Sequence, residues 1–190
     1  MKILIKNGMI VSDSETYQAD ILIEDEKIKW IGTDLPETDV DTVIDAEGKY
    51  VIPGAIDVHT HMDIDVGIAR AVDDFYDGTV AAACGGTTSI VDHMGFGPAG
   101  VPLHYQFNEY KKLTEGKAVI DYGFHGVAQH VDDDIIAELE TMAEDGIPSV
   151  KAYLTYGFKL NDAEVLQILK KMKEIGGVTA FHCENHELVE

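Results

Sequence analysis

The chain has 190 residues, 45% of them hydrophobic, enough to bury a sizeable core in one domain or one and a half. Its 35 acidic side chains against 14 basic ones give a formal net charge of -21, which repels nucleic acid and anionic membrane and excludes both as partners. The two cysteines, Cys84 and Cys183, lie far apart without a CxxC, which argues against a disulfide framework or a cysteine-rich zinc site and fits a reducing compartment.

The opening MKILIKNG alternates polar and apolar residues and lacks the apolar core of a signal peptide. No apolar run approaches a membrane span, so the expectation is a cytoplasmic protein. The first fifty residues predict short strands: ILIKN, GMIV, ADILIED and KIKWIG, separated by turn residues such as Asn7-Gly8, Asp25-Glu26 and Gly32-Thr33. VDTVIDAEGKYVIPG adds two more around Glu47-Gly48. The expectation here is an antiparallel meander with no residue set that suggests chemistry.

After Pro53-Gly54 the rhythm changes to alternating apolar strands and helical patterns. AIDVHTH precedes a helix near Asp73 to Cys84, whose early acids Asp73, Asp74 and Asp77 suit a helix N-terminus. Cys84, in AAACGG at the end of that helix, reads as a small buried hydrophobe. TSIVDH precedes a helix near Leu103 to Glu115, AVIDYGFHG one near Asp132 to Glu144, and SVKAYL one near Asp162 to Ile175. VTAFHCE is the last strand, and a further helix can open at Asn185. Repeated strand–helix units with nearly continuous apolar strands imply a parallel sheet covered by helices. Five such strands fit a doubly wound sheet or most of an eight-stranded barrel. No G-x-G-x-x-G follows the first strand, so a dinucleotide fold has no positive support. A whole barrel takes roughly 250 residues, more than the stretch from Pro53 to Glu190 supplies.

The strongest chemical signal is His59-Thr60-His61 at the end of an apolar strand. Residues two apart on a strand point the same way, so both imidazoles project from the strand's C-terminal end, where barrel enzymes place their catalytic groups. Two neutral imidazoles at that spacing can grip one divalent metal; alone, such a pair could equally fill a barrel end. Lys151 lies in SVKAYL, a strand otherwise small or apolar. Burial pushes a lysine toward its neutral amine, which can add carbon dioxide to form a carbamate with two oxygens able to bridge two metals. The plainer alternative is a lysine that reaches water along its stem. His182, in TAFHCEN, ends the next strand with another inward imidazole, while Cys183 should face the opposite way. Metal-ligand types thus stand at the ends of strands one, four and five of one sheet. Asp92 and His93 read as packing residues, His125 and His130 as flanking the pocket, and His104 and His186 as surface residues; Asp57 stays unassigned.

The segments PGAIDVHTHMDIDVGIARAVDDFYDGT, ACGGTTSIVDHMGFGP, KAVIDYGFHG, KAYLTYGFKLND and FHCEN resemble the hydantoinase/dihydropyrimidinase family of cyclic amidohydrolases, from the first residue to the last. The resemblance implies an α/β fold: a partial TIM-like (β/α) barrel of the metal-dependent amidohydrolase type over 53–190, preceded by a small β-sandwich-like domain over 1–52, both incomplete. It implies two divalent metal ions of zinc type, with His59 and His61 on the more buried one, Lys151 as carbamylated bridge and His182 on the second. Tyr156, in LTY, matches the tyrosine that binds substrate and stabilises the oxyanion. The remaining histidine and aspartate ligands are absent from this chain. The implied reaction opens the ring of D-5-substituted, aryl hydantoins to N-carbamoyl amino acids. Dihydropyrimidinase, or a non-catalytic scaffold relative, is the alternative. Asp63 stands where dihydroorotases carry an arginine for the substrate carboxylate, which disfavours that branch, and Tyr156 disfavours allantoinase. The family also implies a homotetramer at full length, and a small β-domain built from both chain ends. These 190 residues alone are accordingly expected neither to close the barrel nor to turn over substrate.

Overall fold

The structure, a computed structural model, describes residues 1–189. They form two compact units, Met1–Pro53 and the remainder from Gly54 onward.

In the first unit β1 (Lys2–Val11), β2 (Thr16–Glu24) and β3 (Lys27–Gly32) are joined as successive antiparallel pairs. β4 (Thr42–Asp45) and β5 (Tyr50–Val51) both pair with the other edge of β1, and they run parallel to it. The sheet is therefore one mixed layer, which corrects the expected antiparallel meander. At ten residues β1 is longer than the usual strand of about five or six, so one edge has room for two short strands in succession. Asn7-Gly8 is also no turn. β1 runs through it as a bulge between Ile5 and Gly8, with Asn7 at φ 61° and its N–H donated to Asp20 Oδ1 at 2.9 Å. Asp20 is buried, and its other oxygen accepts the Leu35 N–H at 3.0 Å. Ile10, Ala19 and Ile21 form this unit's small core.

The second unit alternates strands and helices: β6 (Ala55–Thr60), α1 (Phe75–Cys84), β7 (Thr87–His93), α2 (Leu103–Thr114), β8 (Asp121–Val127), α3 (Asp133–Glu144), β9 (Ser149–Tyr153), α4 (Asp162–Glu174) and β10 (Val178–His182). A short α5 (His186–Val189) follows. Three of the helices start where the sequence supplies side-chain caps, whereas α2 follows Pro102 without one. Asp74 accepts the Tyr76 and Asp77 N–H groups, Asp132 accepts that of Ile135, and Asn161 with Glu164 closes a capping box. The strands lie in the order β6-β7-β8-β9-β10, every pair parallel. A doubly wound sheet would reverse its order at a switch point; among the described strands there is no reversal. Phe75, Tyr110, Phe124, Leu139, Val150 and Ile168 are among the residues that bury the sheet against its helices.

Cys84 is exposed rather than buried. The buried side of α1 is Phe75, Gly78 and Thr79, and at 100° per residue Cys84 falls opposite Phe75. No described helix is long and apolar enough to cross a membrane.

Candidate active site

β6 enters the site from a close approach. A Cβ added to Gly54 would sit 2.2 Å from Thr88 Oγ1 and 2.7 Å from Thr88 Cβ, so only glycine lets β6 begin this near β7. At the far end of β6, His59 and His61 project together as strand alternation requires, with ring centroids 5.3 Å apart. β7 delivers His93 beside them, its ring 4.2 Å from that of His59 and 5.3 Å from that of His61. His93 lies opposite His125 in the β7–β8 register, and the two rings stack at 4.3 Å. Four imidazoles from three neighbouring strand ends thus form one cluster.

The surroundings of three of them disfavour a proton. Burial pushes His61 and His125 below the ordinary imidazole range and holds His93 down at about 3, helped by the neighbouring imidazoles and Lys151. His125 is fully occupied. Its Nε2 must donate to the Val58 carbonyl at 2.9 Å, which leaves Nδ1 to accept from Ser149 Oγ at 2.6 Å. His93 Nδ1, by contrast, is buried without a hydrogen-bond partner.

Lys151 comes from the middle of β9 and is only 6% exposed. Burial lowers its ammonium below the ordinary lysine range, with only the Cys183 thiol opposing the shift. Its Nζ lies 5.6 Å from the centre of the Tyr153 ring.

A second group gathers at the end of β10. His182 is in register with Tyr153, and their rings stack at 5.6 Å and 19°. Tyr156, at φ 67° in the left-handed region, brings its ring to 5.1 Å from that of His182. Glu184 joins the two: its Oε2 accepts from the Tyr156 hydroxyl at 2.7 Å and lies 2.6 Å from His182 Nε2. Glu184 was not anticipated from the sequence. Its signal was the alternation in FHCEN, which sends residues 182 and 184 to the same side.

Between the two groups lies a cleft of about 810 Å³ bordered by His61, Tyr156 and His182. Its other walls are mostly apolar, from Ile64, Val66, Phe96 and Phe158, with Asp65 among them. Ile64 and Val66 sit on a small hairpin closed by Ala71 N–H to Ile64 O at 2.8 Å and Val66 N–H to Ala69 O at 3.0 Å. Asp63, buried at the root of this hairpin and at φ 57°, pairs with Arg70. His104 is held by Glu138 and Asp145, each at 3.2 Å, and His130 lies 3.5 Å from Asp132, so both have local structural partners.

Among the described residues no three His, Cys, Asp or Glu side chains are arranged to hold a metal ion. The donor chemistry nonetheless fits a divalent cation. His93 is buried with an orphaned ring nitrogen, His61 and His125 also disfavour a proton, and the Lys151 amine is driven toward neutrality, so this end of the sheet offers lone pairs rather than protons, with His59 and His61 open to solvent.

No protein-family model matches the chain. It is 52% identical over 185 residues, 97% of its length, to D-phenylhydantoinase of Escherichia coli O1:K1. It covers 40% of that relative, and so spans about two fifths of the length of the curated relatives it matches. A crystal structure of D-hydantoinase superposes with a TM-score of 0.94 at 42% identity, over 100% of this chain and 41% of the other. A crystal structure of dihydropyrimidinase from Brevibacillus agri superposes with a TM-score of 0.95 at 43% identity, over the same shares of the two chains.

Proposed function

The chain is kin, along its whole length, to the D-hydantoinases and dihydropyrimidinases, and from that kinship we propose that it is the metal-ligating part of a cyclic amidohydrolase. The observation that carries the reading is that His59, His61, Lys151, Tyr156 and His182 all come from the strands of one parallel sheet or the loops after them, with His61, Tyr156 and His182 bordering one cleft. In the longer protein the five parallel strands would form the greater part of an eight-stranded barrel.

His59 and His61 would hold one divalent ion and His182 a second, with Lys151 between them. For this the buried Lys151 amine attacks carbon dioxide and forms an N–C bond. One N–H proton leaves to solvent, and the product is an anionic carbamate with two donor oxygens. Two zinc-type ions in such a site supply Lewis acidity and activate water near neutral pH. A further histidine and an aspartate, supplied from outside this chain, would complete the ligands.

Tyr156 is placed to donate its hydroxyl proton to the carbonyl oxygen of a bound cyclic amide as negative charge develops there. The apolar side chains of Ile64, Val66, Phe96 and Phe158 suit an aryl or alkyl substituent on the ring. That lining favours 5-substituted hydantoins, with N-carbamoyl amino acids as products. The second reading, dihydropyrimidine hydrolysis, has the support of the Brevibacillus agri neighbour. A non-catalytic scaffold would have no need for a buried lysine beside unprotonated imidazoles.

The test is metal-dependent ring opening of 5-phenylhydantoin and of dihydrouracil by the protein at the length of its relatives. Turnover abolished by chelation and restored by zinc is expected, with the hydantoin preferred. A folded, zinc-loaded protein that opens neither ring would overturn the proposal.

A further inference from the structure

The proposed reaction gives no role to Glu184, yet its carboxylate makes the shortest polar contact of His182, at 2.6 Å from Nε2. The same oxygen, Oε2, also accepts from the Tyr156 hydroxyl at 2.7 Å. A carboxylate only accepts, so the nitrogen facing it must be the protonated one. In a neutral imidazole the other nitrogen then keeps its lone pair. The Tyr153 ring, stacked on His182 at 19°, fixes the plane in which that lone pair lies.

We propose that Glu184 is a positioning residue: it fixes His182 as the Nε2–H tautomer, presents Nδ1 to a divalent cation, and ties this ligand to the Tyr156 hydroxyl through one shared oxygen. The inference rests on the reading of His182 as a metal ligand. It extends that reading to a residue outside the ligand set and to a link between metal and substrate groups. A carboxylate behind a ligating histidine raises the basicity of the ligand and holds its ring, and losing such a partner typically costs about tenfold to a hundredfold in metal affinity. Tyr156 adopts a left-handed backbone at φ 67° that disfavours residues with a side chain. Glu184 is its hydrogen-bond partner in that conformation, and a bound carbonyl oxygen would compete with Glu184 for the same hydroxyl proton.

The experiment measures two quantities in the protein and in Glu184→Ala, Glu184→Gln and Tyr156→Phe. Nitrogen NMR of the histidine rings gives the His182 tautomer without metal, and chelator competition gives the zinc affinity. The proposal expects Nε2–H to dominate in the parent protein and a mixture of tautomers in Glu184→Ala. Zinc affinity should fall about tenfold to a hundredfold in Glu184→Ala. Glu184→Gln, whose amide oxygen can still accept, should keep the tautomer and most of the affinity, and Tyr156→Phe should keep the tautomer. A dominant Nδ1–H form in the parent, or an unchanged His182 tautomer in Glu184→Ala, overturns the proposal. If the parent binds no zinc, the metal reading fails by itself, and the tautomer populations still decide the role of Glu184.

Discussion

Thr60 and Asp92 lock the ends of two neighbouring strands together: Thr60 Oγ1 donates to Asp92 Oδ2 at 2.7 Å, and the same oxygen accepts the Met62 N–H at 2.8 Å. These bonds flank His61 on both sides, so one buried carboxylate fixes the backbone that aims the H-x-H pair. Asp92 Oδ1 is buried without a partner, and burial pushes the carboxyl from 3.8 up to about 6.

That shift makes stability depend on pH. Between 3.8 and about 6 the folded protein keeps a proton on Asp92 that the unfolded chain has released. The contribution is therefore complete below pH 3.8 and is lost as pH rises through about 6. Asp92→Asn removes it while keeping an acceptor for Thr60 and Met62. The stability of Asp92→Asn relative to the parent should rise between these two pH values, by about 3 kcal/mol at most. Urea unfolding across that range reads it, and parallel curves would refute the assignment.

Gly54→Ala should destabilise the second unit by about 1–3 kcal/mol, because the new Cβ meets Thr88 Cβ itself and not only its rotatable atoms. Gly54→Ala combined with Thr88→Gly should recover most of the loss. Thermal unfolding of the two variants checks both statements.

Lys151→Met tests the buried amine. The folded lysine titrates below 10.5, so its charged form opposes folding at neutral pH. This opposition fades as pH rises through the folded value toward 10.5. Lys151→Met, similar in volume, should therefore melt higher than the parent at pH 7, with the gap closing in alkaline buffer. Isotopically labelled bicarbonate should give a carbamate signal in the parent that is missing from Lys151→Met.

Arg70→Ala should loosen the hairpin that walls the cleft. Asp63 has a side chain only 6% exposed and would retain just Lys117, at 3.9 Å. Because Arg70 is itself largely exposed, the loss should be modest, about 1–2 kcal/mol. Faster amide exchange confined to the residues around Ile64 to Ala71 is the expected signature, since the hairpin's backbone bonds close there. An unchanged exchange pattern would place the anchor elsewhere.

The parallel strand–helix alternation was readable because fully apolar strands and acidic helix caps are local signals. The helices expected near Asp73, Asp132 and Asp162 begin at Phe75, Asp133 and Asp162, with Asp74, Asp132 and Asn161 as their caps. The orientation of β4 and β5 was not readable, since a strand of two to four residues carries no mark of its partner's direction. In the site, H-x-H and the lysine in an apolar strand were visible in single segments. The His93–His125 stack and the Thr60–Asp92 bond join different strands and exist only once their register is set. Asp92 reads only as a packing residue and Glu184 was passed over in the sequence, and their bonds to Thr60, Met62, His182 and Tyr156 are what give them a role.

The most direct test of the metal site is the zinc content of the protein at the length of its relatives, purified with zinc and bicarbonate beside its Lys151→Ala variant. The account predicts about two zinc ions per chain in the parent and a marked loss in Lys151→Ala. A folded parent that holds no more zinc than the variant would contradict it.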